Sequence, residues 1–347
     1  MEKLLLKLLK NKYNKFIILI IFILLITLTL LECFFRTYRP NYHSFDNDLG
    51  WALKKNFNFV YKEKDLYKNI YYVNFFTNED GLRPFGDKKK GGKEILILGD
   101  SFTTDPYASN NDMWYAVLAE ELSKNNTNYF GFAGGGGGYG TFQQLILLEK
   151  IKKKIAPDIF ILQFCSNDYM NNYYEWEKEQ GAMGQYIRRP YYDKNSLLKK
   201  NDNFFYSMVN TKFFSELKIA NIFIFLLSNF NQKLFHNVEN FKKNEFFKKE
   251  ATNITLELLI KIREIYPTAK SYIINCDPDD DKSQEFKDLT AKSNFILIPT
   301  GDKIKEHIFK GEKIFFRDGS HYNQLGNKLL GIEIYRYLKS NLLFTNL

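Results

Sequence analysis

The chain has 347 residues, 45% hydrophobic and 17% aromatic, enough for one large globular domain plus an appendage, or for two modest domains. Its net charge is +9, of which Lys3, Lys7, Lys10, Lys12 and Lys15 against Glu2 place +4 in the first fifteen residues. The +5 left over the remaining 332 residues is too dilute for a nucleic-acid surface, and Lys88–Lys90 and Lys152–Lys154 read as solvated loop and helix faces.

Phe16–Leu31 is uncharged and almost wholly apolar, and the run extends past Glu32 to Phe35, about one bilayer crossing. No small-residue cleavage site follows it, and Glu32 stands where a lipoprotein would carry a small residue before Cys33. The expectation is an uncleaved signal anchor over residues 16–35. With the lysines ahead of the span, residues 1–15 belong in the cytoplasm and the bulk of this single-pass membrane protein outside it.

Residues 36–92 mix aromatics with Asn, Gly and Pro in short alternating runs, which predicts a small β-rich lead-in. From residue 93 a different pattern begins. "EILILGDS" is an apolar strand, "DMWYAVLAEELSK" a helix with Asp112 as its cap, and "YFGF" a strand running into "AGGGGGYGT". "TFQQLILLEKIKKK" is a helix and "PDIFILQFCSND" a strand. Residues 169–250 form a long aromatic and basic insertion, either a cover over the cleft or packing filler; its Ile222–Leu227 run is too short to cross a membrane. Then come "TLELLIKIREIY" (helix), "KSYIINCD" (strand), "NFILIP" (strand) and "QLGNKLLGIEIYRYLKS" (closing helix). Continuous apolar strands alternating with amphipathic helices predict an α/β domain over residues 93–347, three-layered α/β/α around a central parallel sheet. In such sheets the site lies beyond the carboxyl ends of the strands, where "GDS", the glycine run, "CSND" and "NCD" all fall.

Four histidines are present: His43, His236, His307 and His321. His43 follows the anchor, His236 sits in the insertion and His307 lies on a helix as a surface residue. His321 lies in a turn-rich loop before the last helix, three residues after Asp318. That spacing lets one loop aim both side chains into the same cleft, where the carboxylate can fix the imidazole tautomer. Ser101 alone could be a helix cap, and Asn167 alone a turn residue. Together, in this order and on one rim, they form a candidate nucleophilic site.

The set "GDSFT" (Gly99–Thr103), the glycine loop, "CSND" (Cys165–Asp168) and "DGSH" (Asp318–His321) resembles the SGNH hydrolases, or GDSL esterase/lipase family. The upstream "DLGW" and "TNEDGLR" look like the lead-in of membrane-anchored bacterial members. The resemblance implies an esterase with Ser101 as nucleophile, His321 as base and Asp318 as its partner. It also implies an oxyanion hole built from the Ser101 N–H, a glycine N–H and the Asn167 amide. "GYGT" favours Gly138 as that glycine, with Gly134 second; Asp100 and Asp168 are expected to be structural. Two departures stand out: the third block begins with Cys165 where the family usually has Gly, and the glycine block is over-filled. No G-x-S-x-G elbow is present.

Gly135, Gly137 and Gly140 satisfy G-x-G-x-x-G, but no acidic residue ends the next strand at the distance dinucleotide binding requires. No Lys precedes Thr141, which excludes a phosphate-binding P-loop. No ligand cluster has metal spacing and Asp277–Asp281 reads as a solvated loop, so neither metal nor cofactor is expected. Cys165 and Cys276 are expected as buried free thiols, with a bridge between them the alternative. The expected function is hydrolysis of acyl esters, acetyl foremost, on a small molecule or carbohydrate. The alternatives are acyl transfer to an extracellular glycan, or a non-catalytic glycan-binding or scaffold module. Tyr173, Trp176, Tyr191 and Tyr192 suit either sugar stacking or packing.

Overall fold

In the computed structural model, the described residues are 12–38, 41–65, 69–104, 106–124, 126–179, 188–193, 211–223, 226, 241–279 and 282–341. The basic tail before residue 12, His236, most of residues 180–240 and Asp280–Asp281 lie outside them.

Helix α1 (Lys12–Tyr38) carries the apolar run. Within Tyr13–Thr37 an 18-residue window reaches a mean hydropathy of 2.9, and none of that window is buried inside the protein. Its last turns are tied to the insertion. The Glu32 carboxylate accepts from the Lys218 and Ile219 N–H groups at 3.0 Å each, and Arg36 donates to the Glu216 carbonyl at 3.0 Å.

The lead-in forms two antiparallel hairpins, β1 (His43–Asp46) with β2 (Gly50–Leu53), and β3 (Asn58–Lys64) with β4 (Ile70–Phe76). It does not stop there. β5 (Arg83–Phe85) joins the central sheet as an antiparallel edge strand against β7 (Tyr129–Gly135). The rest of that six-stranded sheet is parallel, as expected: β6 (Lys93–Gly99), β8 (Ile159–Phe164), β9 (Lys270–Asn275) and the two-residue β10 (Ile296–Leu297). The order is β10-β9-β8-β6-β7-β5. The chain therefore leaves β6 toward one side and returns to β8 on the other. That reversal opens a crevice beyond the carboxyl ends of β6, β7 and β8.

Both faces of the sheet are covered because the middles of its strands are apolar on both sides; β8 is buried at all six positions. Over one face lie α4 (Thr141–Ile151) and α8 (Phe241–Ile265), which fill a core with Leu96, Leu98, Phe160 and Leu162. Over the other lie α3 (Trp114–Ser123) and α11 (Gln324–Ser340), packed on Ile95, Ile97, Ile159 and Ile161. Asp112 does not cap α3. It ends a 3-10 turn (Asn110–Asp112) and accepts from Gln324 instead, leaving Met113 at the cap position.

Cys165 and Cys276 are joined in a disulfide, with Cα atoms 5.1 Å apart, so the expectation of two free thiols is corrected. They follow β8 and β9, neighbours in the sheet, and parallel pairing carries both strand ends to the same place. For Tyr191 and Tyr192 the packing alternative holds, in the interior and not at the surface. Both are buried, Tyr192 against Phe142 and Tyr191 with its hydroxyl on Glu177 at 2.8 Å, so neither offers a face to a sugar. Tyr173 and Trp176 are half-buried against the same core.

Candidate active site

Ser101 opens a short helical turn, α2 (Ser101–Thr104), at the carboxyl end of β6. The turn is held by the Asp100 carbonyl, which accepts from the Thr103 and Thr104 N–H groups at 3.2 and 3.1 Å. Across the crevice, the loop before α11 is closed by Phe316 N–H on the His321 carbonyl at 2.7 Å and by Gly319 N–H on the Phe316 carbonyl at 2.9 Å. Asn323 caps α11 by accepting from the Gly326 N–H. The loop is thus pinned at both ends, and it presents Asp318 and His321 together.

His321 Nε2 lies 2.8 Å from Ser101 Oγ, and His321 Nδ1 lies 2.7 Å from Asp318 Oδ2. The other Asp318 oxygen accepts from the N–H groups of Ser320 and His321 at 3.0 and 3.1 Å. Burial pushes the Asp318 carboxyl up, but the Ser320 N–H, the imidazole and the His321 N–H outweigh it and hold the pKa below its usual value. The imidazole packs between rings: Phe102 is 4.8 Å away and Tyr107 6.0 Å, with Tyr107 itself stacked on Phe316 at 4.1 Å. A hydroxyl, a base and an orienting carboxylate in this chain can perform nucleophilic attack with proton transfer.

Asn167 begins α5 (Asn167–Asn172) just beyond β8, and its side chain acts on the Asp100 carboxylate beside Ser101 by favouring the charged form. Asp100 is buried, and burial raises its pKa to about 6 against the Phe102 N–H, His321 and Asn167, which favour the charged form. Asp168 is fully buried and accepts from Thr141 at 3.1 Å and Gln144 at 3.2 Å. Burial, then the nearby Asp100 charge, pushes it well above the carboxylate range. Both acidic residues are thus framework, joining the Ser101 turn and the glycine loop to α5.

The glycine run divides by position. Gly134 lies inside β7, where a Cβ would meet Leu82 Cδ2 at 2.7 Å, so it faces the core and not the loop. Gly135 sits beside Gly99 in register, and a Cβ there would fall 2.0 Å from the Gly99 carbonyl oxygen. Gly136 to Tyr139 make a turn closed by Tyr139 N–H on the Gly136 carbonyl at 2.9 Å. Gly138 holds φ +70°, the third position of a type II turn, which a side chain resists.

Other residues around this loop carry no signal in the sequence. Arg189 and Glu177 form a fully buried ion pair at 2.8 Å, and Arg189 also donates to the Gly138 carbonyl and to Gln143 Oε1, each at 2.5 Å. Trp51 Nε1 donates to the Gly137 carbonyl at 3.2 Å. Of the remaining histidines, His307 lies on α10 (Gly301–Phe309), 3.0 Å from Glu312. His43 sits beside the glycine loop, and burial, with Lys218 and Lys54 nearby, lowers its pKa to about 4.

Residues 95–334 match the family model of the GDSL-like lipase/acylhydrolases. No curated protein matches the sequence. Among solved structures, the chain is similar to the psychrotrophic esterase EstA from Pseudoalteromonas sp., with 12% identity over 72% of this chain and 99% of that one, at a TM-score of 0.41. It is similar to the lipase/acylhydrolase from Enterococcus faecalis, with 16% identity over 72% and 96% and a TM-score of 0.37. A two-domain esterase active on acetylated mannans gives 12% identity and a TM-score of 0.43; the match covers 76% of this chain but only 56% of that one. The chain belongs to the GDSL-like lipase/acylhydrolase family, and is a hydrolase acting on ester bonds.

Proposed function

We propose that the protein is a membrane-anchored, extracytoplasmic serine esterase that removes acyl groups, acetyl foremost, from carbohydrate. The observation that carries the mechanism is the continuous chain Ser101 Oγ, His321, Asp318, with contacts of 2.8 and 2.7 Å. His321 takes the Ser101 proton as Oγ attacks the ester carbonyl. Asp318 holds the ring so that Nε2 faces the serine, and it stabilises the imidazolium. The oxyanion is received by the N–H groups of Ser101 and Gly138 and by the Asn167 amide, each donor contributing about 3 kcal/mol in such sites. His321 then protonates the leaving alcohol, and water, activated by the same base, releases the acid from Ser101.

Two observations favour an extracytoplasmic site. The apolar length of α1 suits one crossing, and Cys165–Cys276 is a disulfide of the kind that persists outside the reducing cytosol. The carbohydrate assignment follows from that location. The test is Ser101→Ala in the full chain. It should abolish p-nitrophenyl acetate hydrolysis with an unchanged circular dichroism spectrum and melting point, and wild-type activity in that variant overturns the mechanism. Acyl transfer is read in the same assay with added glycan acceptors: acylated sugar forming faster than free acid overturns the hydrolase reading.

A further inference from the structure

The sheet and the loop before α11 supply the serine, the histidine and the carboxylate. The glycine loop is held by parts of the chain outside that scaffold. In the turn Gly136–Tyr139, the central peptide joins Gly137 to Gly138 and stands out from the plane of the turn. Because the peptide is planar and trans, fixing the Gly137 carbonyl on one side aims the Gly138 N–H to the other. Trp51, from the lead-in hairpin, fixes that carbonyl with its indole N–H at 3.2 Å. The backbone carbonyl of Trp51 in turn accepts from the Tyr139 hydroxyl, so one residue grips the turn at two points.

Arg189, from the insertion, fixes the next peptide. Its Nη1 donates to the Gly138 carbonyl and to Gln143 Oε1, each at 2.5 Å. Gln143 completes the frame by accepting from the Gly140 N–H at 3.2 Å and donating to the Leu49 carbonyl at 2.7 Å. The guanidinium lies 5.3 Å from the centre of the Trp51 ring, and both it and its partner Glu177 are about 1% exposed. A buried arginine in such a frame cannot drift, because leaving its partners would strand a charge in the interior.

We infer that Trp51 and Arg189 are positioning residues for the oxyanion: together they hold the Gly138 N–H in the orientation that receives developing charge. The inference rests on the reading that Gly138 is an oxyanion donor. It gives the described part of the insertion a catalytic consequence without any contact to substrate. A donor pre-aimed by buried partners needs no reorganisation as charge develops, and a misaim of about 1 Å can cost up to about a hundredfold in rate.

The experiment uses the full chain in detergent micelles, with p-nitrophenyl acetate as substrate and active sites counted by organophosphonate titration. Trp51→Phe keeps an aromatic ring, smaller than the indole, and removes the N–H; Arg189→Lys keeps the charge and removes the planar fork. Each is expected to lower kcat per active site about tenfold with KM within about twofold, and to slow phosphonylation of Ser101 by the same factor. A lowered melting point with kcat per active site and phosphonylation unchanged makes both residues structural only and overturns the inference. If Arg189→Lys fails to accumulate as folded protein, Trp51→Phe decides alone. Ser101→Ala separates the two levels: an active Ser101→Ala enzyme refutes the mechanism, whereas an inactive one beside an unimpaired Trp51→Phe refutes only the positioning.

Discussion

Replacing Cys165 and Cys276 together by alanine tests how far the disulfide holds the site. The bridge joins residues 111 apart in sequence. Closing a loop of that length in the unfolded chain removes about 16 cal/mol/K of entropy, or about 5 kcal/mol at 25 °C. The loop contains β8's exit, Asn167, the insertion, α8 and β9, so an unfolded chain lacking the bridge regains freedom over about a third of its length. Native interactions lost with the sulfurs are small by comparison, since each alanine removes one buried atom from a site that stays covered. Urea unfolding of the full chain in micelles, oxidised wild type against the double variant, should therefore show a loss of about 3–5 kcal/mol in the midpoint-derived stability. Dithiothreitol should move the wild type toward the variant and leave the variant unmoved. The activity of folded enzyme should fall little, because the Ser101, His321 and Asp318 contacts do not involve the sulfurs. A loss below about 1 kcal/mol, or a wild type indifferent to reductant, refutes the bridge as a constraint on folding.

Removing the Asn167 amide by Asn167→Ala should cost about 10²-fold in kcat with little change in KM, measured on p-nitrophenyl acetate; a raised KM with kcat unchanged would place Asn167 in ground-state binding instead. Asp100 adds a pH dependence. Its pKa is about 6 in the folded protein against 3.8 for an unperturbed aspartate, so the native state keeps a proton that the unfolded chain releases. Stability from this group is therefore full below about pH 4 and lost as pH rises through 6, by on the order of 3 kcal/mol. Asp100→Asn should gain on the wild type by that order between pH 4 and pH 7 in urea titrations, and parallel stability curves contradict the shift. Gly135→Ala forces a Cβ onto the Gly99 carbonyl at 2.0 Å in a backbone with φ +148°, and should destabilise by at least about 2 kcal/mol, read as a drop in melting point.

The catalytic candidates were legible because each sits where a periodic element ends. An apolar run that stops at Gly99 must put Ser101 on the rim, and a closing helix that starts at Gln324 must put His321 just ahead of it. The layers and the parallel sheet followed from the same runs. What pairs across long separations was not legible. Cys165 and Cys276 meet only because β8 and β9 are neighbours in the sheet, an order that no local pattern encodes. Tyr191 and Tyr192 lie in an aromatic stretch without periodicity, so nothing in the sequence distinguishes an exposed sugar platform from the interior they occupy. β5 was hidden for a related reason: three residues are too short to read as a strand, and its partner β7 comes only after β6 and α3.

The unbroken glycines from Gly134 to Gly138 show why a composition signal can be strong and still point to several causes at once. Gly134 is small because Leu82, Leu98 and Leu147 fill the space a side chain would take, and Gly135 because the sheet brings the Gly99 carbonyl against it. Gly136 makes room for the buried Tyr139 ring, 2.5 Å from where its Cβ would stand. Gly138 alone is demanded by backbone conformation within the turn, and a Cβ on Gly137 would meet His43 Cε1 at an ordinary 3.9 Å. The run is therefore two strand-end packing sites and a turn fused without a spacer. The consequence is mechanical. With no Cβ atoms to pack, the loop is held by its own Tyr139 N–H to Gly136 bond and, from outside, by Trp51, Arg189 and Gln143. On the proposal that the Gly138 N–H receives the oxyanion, the lead-in and the insertion share in catalysis by aiming it.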